Sequence, residues 1–477
     1  MSHQASSAPE APEAVAEEAS TGAQVSPDSA RRILISLMFP TLLMPMVSTM
    51  SRVALPVIRD DFGIPADVTA WVAAVFTLSF MILMPVYGRL SDGLDKRRLI
   101  LAGIVIFSMG TAITLFAPDM AWLMIGRAVQ GIGSAGMMPL GMALISSIFQ
   151  THERGRALGT WSTIGPTAGF LGPLAAGFLV SAWGWRGAFA PPFVFGLAAL
   201  FAVHRGVPAG LTRTTPRFLR SFDWTGVLLL AASLTGLIFF LSSRSITGVA
   251  PLRDWRLLGA SLALLGGFWG WEKRRQHPFV SLGILANRKF LRASFCASMR
   301  MFGMGGLSFL IPLYLVDIHN IPPAQLGGLL MINAGAMALM VRFGGGVSDR
   351  WSSRWPVIIG LAVQASVMVI FSQLSDRAPL MLVASTLAFH GLGVGLMLAA
   401  LHHAVMSSIS ETQMGATAGL YSMFRFLGSV IGTALSGVIL QAGLDAALPI
   451  IAAYQNVFLA LTVFPILGAA AAFGLRE

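Results

Sequence analysis

Charged residues are scarce in this sequence. Asp, Glu, Lys and Arg make up 11% of its 477 residues, and 55% are hydrophobic, whereas soluble domains carry roughly 25% charged residues. A water-soluble fold of this length is therefore disfavoured. The alternating segments of roughly ten residues that mark transmembrane barrels are also missing. The composition predicts an all-α integral membrane protein.

The residues that usually carry enzyme chemistry are also rare. A single cysteine, Cys296, excludes an intramolecular disulfide, and we interpret it as a small packing residue. None of the three lysines follows a glycine, so the phosphate-binding loop of ATPases is absent. The HExxH pair of zinc proteases and the GxSxG turn of serine hydrolases are missing too. We therefore expect a protein that is not an enzyme, with no catalytic residues, no metal and no cofactor.

The first 30 residues differ from the rest of the chain. Residues 1–30 are rich in Ala, Ser and Pro, carry five acids and contain no apolar run. Such a segment cannot bury enough apolar surface to offset the entropy lost on ordering. It also lacks the basic start and apolar core of a signal peptide. We predict a disordered acidic tail on the cytoplasmic side.

Apolar segments fill nearly all of the remaining chain. A helix needs about 20 apolar residues to span a bilayer. Windows bounded by charge, Pro or Gly predict fourteen transmembrane helices, of which 255–271 is the shortest: 33–56, 68–88, 99–117, 120–148, 157–182, 186–204, 224–243, 255–271, 291–316, 325–345, 355–375, 379–402, 414–441 and 451–474.

The basic residues predict how these helices are oriented. If the N-terminus lies in the cytoplasm, 22 of the 32 lysines and arginines fall on the cytoplasmic side and six fall outside. The positive-inside rule then predicts a multi-pass protein of the inner cell membrane with both termini in the cytoplasm. This distribution accounts for the net charge of +11 without nucleic acid as a partner. Basic loops can also contact anionic lipid headgroups.

Two loops share a pattern of glycine, acid and bases. The string GRLSDGLDKRR runs from Gly88 to Arg98, and the related string GGVSDRWSSR begins 257 residues later. Two ordinary basic loops would not explain why Asp92 and Asp349 both stand four residues after a glycine at the end of a predicted helix. We infer a duplicated architecture.

The first loop resembles a motif of the major facilitator superfamily, G-x-L-x-D-x-x-G-[RK]-x-[RK]. Gly88, Asp92 and Arg98 match this motif, whereas Asp95 stands where its second glycine belongs. In the family, such loops hold a cytoplasmic gate closed through charge pairs. The resemblance therefore implies a gate role for Asp92, with Asp349 marking the equivalent loop of the second half.

Two further strings resemble motifs of this family inside predicted helices. The string RAVQG, which contains Arg127 and Gln130, looks like the R-x-x-Q-G motif of the fourth helix. A string on the fifth helix is similar to the G-x-x-G-P-x-x-G-G motif of exporters, with matches at Gly169, Gly172, Pro173 and Gly177. Glycines let helices approach closely, so the fifth helix is expected to seal or pivot between two halves. Plain close packing is the alternative.

The fourteen predicted helices, the VALP string that ends at Pro56 and the ERGR string at Glu153 narrow the resemblance to the fourteen-helix drug:proton antiporter, or multidrug efflux, branch. This branch implies two six-helix halves, 31–205 and 291–477, and a linker, 206–290, that carries two extra transmembrane helices. It also implies a central cavity and alternating access by rocking of the halves.

Four arginines fall within predicted helices: Arg52, Arg127, Arg300 and Arg425. Each costs about 2.5 to 3.5 kcal/mol near the bilayer centre, so it requires a wet cavity or an anionic partner. No acid is predicted at their depth, and Val47 replaces the membrane acid typical of the branch. Because arginine binds carboxylates and phosphates, the cavity is expected to favour amphipathic organic acids or neutral molecules. The alternative is that these arginines are tied to backbone carbonyls.

Proton coupling would need a group that titrates, and arginine stays protonated. His390, inside the twelfth predicted helix, is the first candidate, and Asp67, at the outer end of the second, is another. A satisfied packing histidine is the alternative for His390. Met301 and Met304 flank Arg300 and would give the cavity a soft wall, unless they only fill space.

These features predict a secondary active transporter that exports amphipathic drugs or other organic compounds, driven by an ion gradient, with protons as the expected ion. We expect a monomer whose partners are a small-molecule substrate and membrane lipid. An importer or exchanger of an organic anion on the same fold is the first alternative, and a membrane-embedded enzyme is the second.

Overall fold

Helices account for all the regular secondary structure that is described. The computed structural model describes residues 26–149, 151–210, 218–242, 248–275, 280, 282–406 and 414–475. Within these ranges no strand is formed, and thirteen helices are long and apolar enough to cross a membrane. The prediction of an all-α fold is therefore confirmed for this part of the chain.

The helices follow one another with short connections. They are α1 (Pro27–Phe62), α2 (Ala66–Leu90), α3 (Lys96–Leu115), α4 (Met120–Ser134), α5 (Met137–Ile148), α6 (Thr151–Ser162), α7 (Ile164–Trp183), α8 (Ala190–Gly206), α9 (Phe218–Ser221), α10 (Trp224–Leu241), α11 (Trp255–Arg274), α12 (Arg288–His319), α13 (Pro323–Trp351), α14 (Arg354–Gln373), α15 (Leu380–Met406), α16 (Met414–Asp445) and α17 (Ile450–Ala472).

The count of fourteen spans is confirmed only in part. The predicted span 255–271 forms the helix α11, but α11 is not among the thirteen helices that are apolar enough to cross a membrane. It carries charge at both ends, with Arg256 near its start and Lys273 and Arg274 in its last turn. The fourteenth span stays a prediction.

The predicted span 120–148 is divided into α4 and α5, and a second break separates α6 from α7. Pro139 and Pro166 lie just after these breaks. Because proline has no N–H, it leaves the carbonyls of Ala135 and Ser162, four residues earlier, without a helical partner. The breaks thus have a local cause that is visible in the sequence.

Acidic residues serve as helix caps outside the apolar spans. Asp95 accepts a hydrogen bond from the backbone N–H of Arg97 at 2.9 Å and begins α3, and Asp119 accepts one from Trp122 at 3.0 Å and begins α4. Asp223 and Asp254 cap α10 and α11 in the same way. Such caps satisfy N–H groups that a helix leaves unpaired. The substitution of Asp95 for the second glycine of the loop motif therefore has a structural role.

Two groups of helices face each other. We call α1–α8 the N-terminal group and α12–α17 the C-terminal group; α10 and α11 pack on each other, and α10 also contacts α2 and α16. The groups meet through α1 with α12, α2 with α16 and α7 with α13. We call the end of the bundle where α1 begins the near end, and the end where α1 reaches Phe62 the far end.

Hydrogen bonds join the two groups at the far end. Arg59 of α1 donates two hydrogen bonds of 2.7 Å to the carboxylate of Asp317 of α12. The backbone N–H of Ala66 donates to Gln441 of α16 at 2.8 Å. These contacts hold the far ends of the two groups together.

Candidate substrate cavity

A cavity lies between the two groups, enclosed by α1, α2, α4, α12 and α16. It leaves about 680 Å³ free of atoms, including the part that is open to the outside. Arg52, Arg127, Met301 and Met304 of the predicted substrate residues line it, whereas Gln130, Arg300 and Arg425 do not. The structure thus brings part of the predicted set together, and the role of each residue in binding stays a prediction.

The lining combines apolar surface, hydroxyl groups and positive charge. Phe76, Phe309 and Phe426 supply aromatic rings, and six hydroxyl side chains are distributed around the wall: Ser48, Ser51, Thr77, Ser308, Ser429 and Thr433. None of the described lining residues carries a carboxylate. Such a wall can hold an apolar body and orient it through a few polar groups, which is the usual design of a small-molecule site.

Arg52 reaches this cavity because of the helical periodicity of α1. Met44, Ser48, Arg52 and Leu55 recur at intervals of three and four residues, so they share the face that lines the cavity. Arg52 is half-buried, and in the described part of the chain its guanidinium has neither a hydrogen bond nor an ion pair. The described residues therefore do not support the alternative that Arg52 is tied to backbone carbonyls.

Arg127 is held very differently. Its Nε donates to the backbone carbonyl of Val72 at 2.9 Å, and its Nη1 donates to Gln130 Oε1 at 2.9 Å. Gln130 in turn donates to the hydroxyl of Thr111 at 3.0 Å. The guanidinium also lies 4.5 Å from the ring centre of Phe76. Arg127 and Gln130 therefore tie α4 to α2 and α3, and a structural role accounts for their contacts.

Arg300 and Arg425 lie behind the cavity wall, next to residues that line it. Arg300 Nη1 lies 3.3 Å from the sulfur of Met304, and the Arg425 guanidinium lies 4.9 Å from the ring centre of Phe426. Arg425 Nη1 also donates to His402 Nε2 at 2.9 Å. Both charges thus border the cavity without lining it directly.

His390 lies outside the cavity lining and is almost completely buried. Its Nδ1 lies 2.9 Å from the side-chain amide of Asn333, and its Nε2 lies 3.4 Å from that of Gln364. Gln364 also donates to the backbone carbonyl of Arg300 at 3.1 Å. Sequence reasoning missed Asn333 and Gln364. Their position as polar residues in the middle of apolar spans was a signal that could have identified them. A coupling role for His390 remains untested.

Asp67, the second coupling candidate, lies in the first turn of α2 at the far end. It is buried, and its carboxylate accepts a hydrogen bond of 2.9 Å from the N–H of Val68. Gly437 of α16 packs against this turn, since an added Cβ there would lie 2.8 Å from the carbonyl oxygen of Ala66. Asp67 is therefore at the contact between the groups and away from the cavity.

No described contact joins the predicted gate residues to another helix. Asp92 pairs with Arg89 of the same turn at 3.1 Å, and both side chains are largely exposed. Arg98 is exposed, and nothing lies within 4 Å of a Cβ added at Gly88. The side chain of Asp349 lies outside the described residues. The gate role stays a prediction, and the pair of Arg59 with Asp317 is the contact between the groups that sequence reasoning missed.

The predicted exporter motif lies where α7 meets its neighbours. A Cβ added at Gly177 would lie 2.6 Å from the carbonyl oxygen of Pro323 of α13, and one added at Gly172 would overlap the side chain of Thr49. The backbone of Pro173 lies against Gly327 of α13. Gly169, by contrast, has open space around it. Close packing of α7 against α1 and α13 therefore accounts for three of the four motif residues.

The chain is similar in sequence to known transporters. The chain is 28% identical over 400 residues to the "Multidrug resistance protein Stp" of Mycobacterium tuberculosis, covering 83% of this chain and 73% of Stp. It is 23% identical over 406 residues to the "Riboflavin transporter RibZ" of Clostridioides difficile, covering 84% of this chain and 86% of RibZ.

The fold is similar to a solved bacterial homologue of the human lysosomal transporter Spinster. The TM-score is 0.65 at 17% identity, covering 94% of this chain and 97% of that one. The sequence pattern of the "Major Facilitator Superfamily" matches residues 37–433 and 293–476. The chain belongs to the Major Facilitator Superfamily, and this confirms the prediction of a multi-pass membrane transporter rather than an enzyme.

Proposed function

We propose that this protein is a secondary active exporter of amphipathic organic compounds, and that it favours anionic or neutral substrates over cations. The observation that carries the proposal is the charge of the cavity: Arg52 lines it without a partner in the described residues, and no described lining residue is an acid. An unpaired guanidinium offers charge-assisted hydrogen bonds to a carboxylate. A cationic substrate would meet repulsion at the same place.

The contacts between the groups support transport by alternating access. The pair of Arg59 with Asp317 and the packing of Gly177 on Pro323 hold the far ends together. The distribution of basic residues predicts that the near end faces the cytoplasm, so this conformation would receive substrate from inside the cell. We propose that rocking of the two groups breaks the far-end contacts and releases substrate outside.

The proposed driving force is an ion gradient, with protons as the coupling ion and His390 as the first candidate to carry them. A histidine ring nitrogen can accept or donate according to its protonation, and the amides of Asn333 and Gln364 beside it can turn to meet either state. Asp67 is the second candidate. The membrane potential would also drive an anion outward, by about 2.3 kcal/mol per charge for each 100 mV.

The test is flux through purified protein in proteoliposomes, with three fluorescent probes that share one dansyl group. Dansylglycine is an anion, dansylamide is neutral and dansylcadaverine is a cation. Imposed pH and voltage gradients separate the driving forces. We expect the anion and the neutral probe to move and the cation to lag, and efficient transport of the cation alone would overturn the proposal.

The same assay tests His390. We expect the His390→Gln protein to keep its fold and to lose the response of its transport rate to an imposed pH gradient. If that response is unchanged, His390 is not the coupling group, and the matching change at Asp67, Asp67→Asn, becomes the next variant to measure.

A second candidate function is import or exchange of an organic anion. Similarity to a protein named as a riboflavin transporter favours it, because that name does not describe drug resistance. The direction of net flux decides between the two functions. Accumulation of dansylglycine on the near-end side, driven by the physiological gradient, would favour import.

A further inference from the structure

Among the hydrogen-bond donors of the C-terminal group that are buried without a described partner, three belong to Arg300, Arg425 and Tyr421. Arg300 is 3% exposed and Tyr421 is 2% exposed, while Arg425 is half-buried. In the described ranges, the Nε of Arg300, the Nε of Arg425 and the hydroxyl of Tyr421 make no hydrogen bond. Buried polar groups in native proteins are nearly always satisfied, so three in one place require an explanation.

These donors belong to one cluster on α12 and α16. Arg425 follows Tyr421 by one helical turn, and its guanidinium carbon lies 5.7 Å from the ring centre of Tyr421. Arg300 lies on α12 two residues after Ser298, whose backbone packs against Gly428 of α16, the helix that carries Arg425 and Tyr421. His402 of α15 holds Arg425 at its Nη1, and its ring lies 5.7 Å from that of Tyr421.

The cluster carries positive charge without a described counter-charge. Neither Arg300 nor Arg425 forms an ion pair in the described residues. The only hydrogen bond of the Arg300 guanidinium in those residues goes to the sulfur of Met304, which is a weak acceptor. Two guanidinium groups that repel each other while sharing a buried site favour an anion between them.

We propose that Arg300, Arg425 and Tyr421 form a second anion site, separate from Arg52, that takes one small monovalent anion. Each arginine already uses its Nη1, so the free Nε–H groups and the tyrosine O–H provide single donors suited to one chloride ion or one carboxylate. Met304 and Phe426 separate this site from the cavity. A second site would add to the preference for anions proposed above. It rests on that proposed function only if the bound anion is the carboxylate of a substrate.

Equilibrium dialysis of the purified full-length protein tests the site. Radiolabelled chloride and radiolabelled benzoate are the two probes, and unlabelled benzamide is the neutral competitor. In the Arg52→Gln protein, whose cavity has lost its own anion-binding group, we expect about one anion per chain, displaced by the other anion and not by benzamide. Binding of chloride alone identifies an inorganic anion, and binding of benzoate alone identifies a substrate carboxylate; each supports the site.

Two variants and one matched control test whether these residues bind the radiolabelled anion. Arg300→Gln and Tyr421→Phe are each expected to weaken binding at least tenfold. Tyr314→Phe is the control, because the hydroxyl of Tyr314 is also buried without a hydrogen bond in the described residues but lies at the far end, among the rings of Phe371 and Tyr454. Tyr421→Phe removes one oxygen atom, so an unchanged melting temperature shows that the variant is folded.

Anion binding by these variants also shows whether the anion lies at this site or in the cavity. If Arg300→Gln or Tyr421→Phe binds both anions as the unmodified protein does, or if neither anion binds at all, the proposal is wrong. If Arg52→Gln loses the label while Arg300→Gln keeps it, the anion lies in the cavity, which overturns the second site and leaves the proposed function intact.

Discussion

Arg127 in the N-terminal group and Arg300 in the C-terminal group are both almost completely buried, at 1% and 3% exposure, but their partners differ. Arg127 donates to a backbone carbonyl and to an amide oxygen, and it lies over an aromatic ring. Arg300 donates only to a thioether sulfur among the described residues. Burial alone therefore does not separate a structural arginine from one that is available to a ligand; the partners of its donors do.

The presence or absence of a partner also distinguishes two other arginines that lie between the groups. Arg59 is paired with a carboxylate across the far end, while Arg52 lines the cavity without a described partner. We infer that arginines whose donors meet carboxylate, carbonyl or amide oxygens hold helices in place, and that arginines without such acceptors bind anions. Substitutions of paired and unpaired residues test this rule.

Arg127→Met should have the largest effect on stability. The substitution leaves the carbonyl of Val72 and the amide oxygen of Gln130 without their donor, and each buried acceptor left unsatisfied costs about 1 to 3 kcal/mol. We expect a clear fall in the melting temperature of the purified protein. A melting temperature equal to that of the unmodified protein would show that the bonds of Arg127 do not stabilise the fold.

Arg300→Met should have the opposite result. Replacing a poorly satisfied buried charge with an apolar side chain of similar volume is often neutral or stabilising, by about 1 to 4 kcal/mol. We expect an unchanged or higher melting temperature together with loss of anion binding. A fall in melting temperature as large as that of Arg127→Met would show that Arg300 is structural as well.

Arg59→Gln should shift the balance between conformations. The bidentate contact of Arg59 with Asp317 is partly exposed, with 20% and 11% of the two side chains accessible, so we expect a change of about 1 kcal/mol in favour of separated far ends. Distances between spin labels on α1 and α12 measure this shift. The charge-swapped protein, Arg59→Asp with Asp317→Arg, serves as the control, and restored distances are expected from it.

Asp92→Asn should change stability least. Its described ion-pair partner is Arg89 in the same turn, and exposed pairs of this kind contribute less than about 1 kcal/mol. We expect normal insertion and melting, with slower transport because the family resemblance implies a gate at this loop. Unchanged transport by a normally expressed Asp92→Asn protein would remove the gate role.

The helices could be predicted from the sequence because apolar runs bounded by charge are local signals. The break after Ser134 was also encoded locally, by Pro139, although apolar length alone predicted one continuous span. The four membrane arginines could be identified, but their partners could not. Arg127 bonds the backbone of Val72, and Arg59 meets Asp317 from a position 258 residues away. Backbone acceptors and pairs so distant in sequence become visible only when the helices are packed.

The most direct test of the central claim is equilibrium binding of dansylglycine and dansylamide to the unmodified protein and to Arg52→Gln. Arg205→Gln is the control for loss of one positive charge, because Arg205 lies at the end of α8 outside the cavity lining. We predict that Arg52→Gln binds dansylglycine at least tenfold more weakly, which corresponds to about 1.4 kcal/mol, and binds dansylamide as before. Equal affinity of both proteins for dansylglycine, or an equal loss for both probes, would contradict an anion site at Arg52.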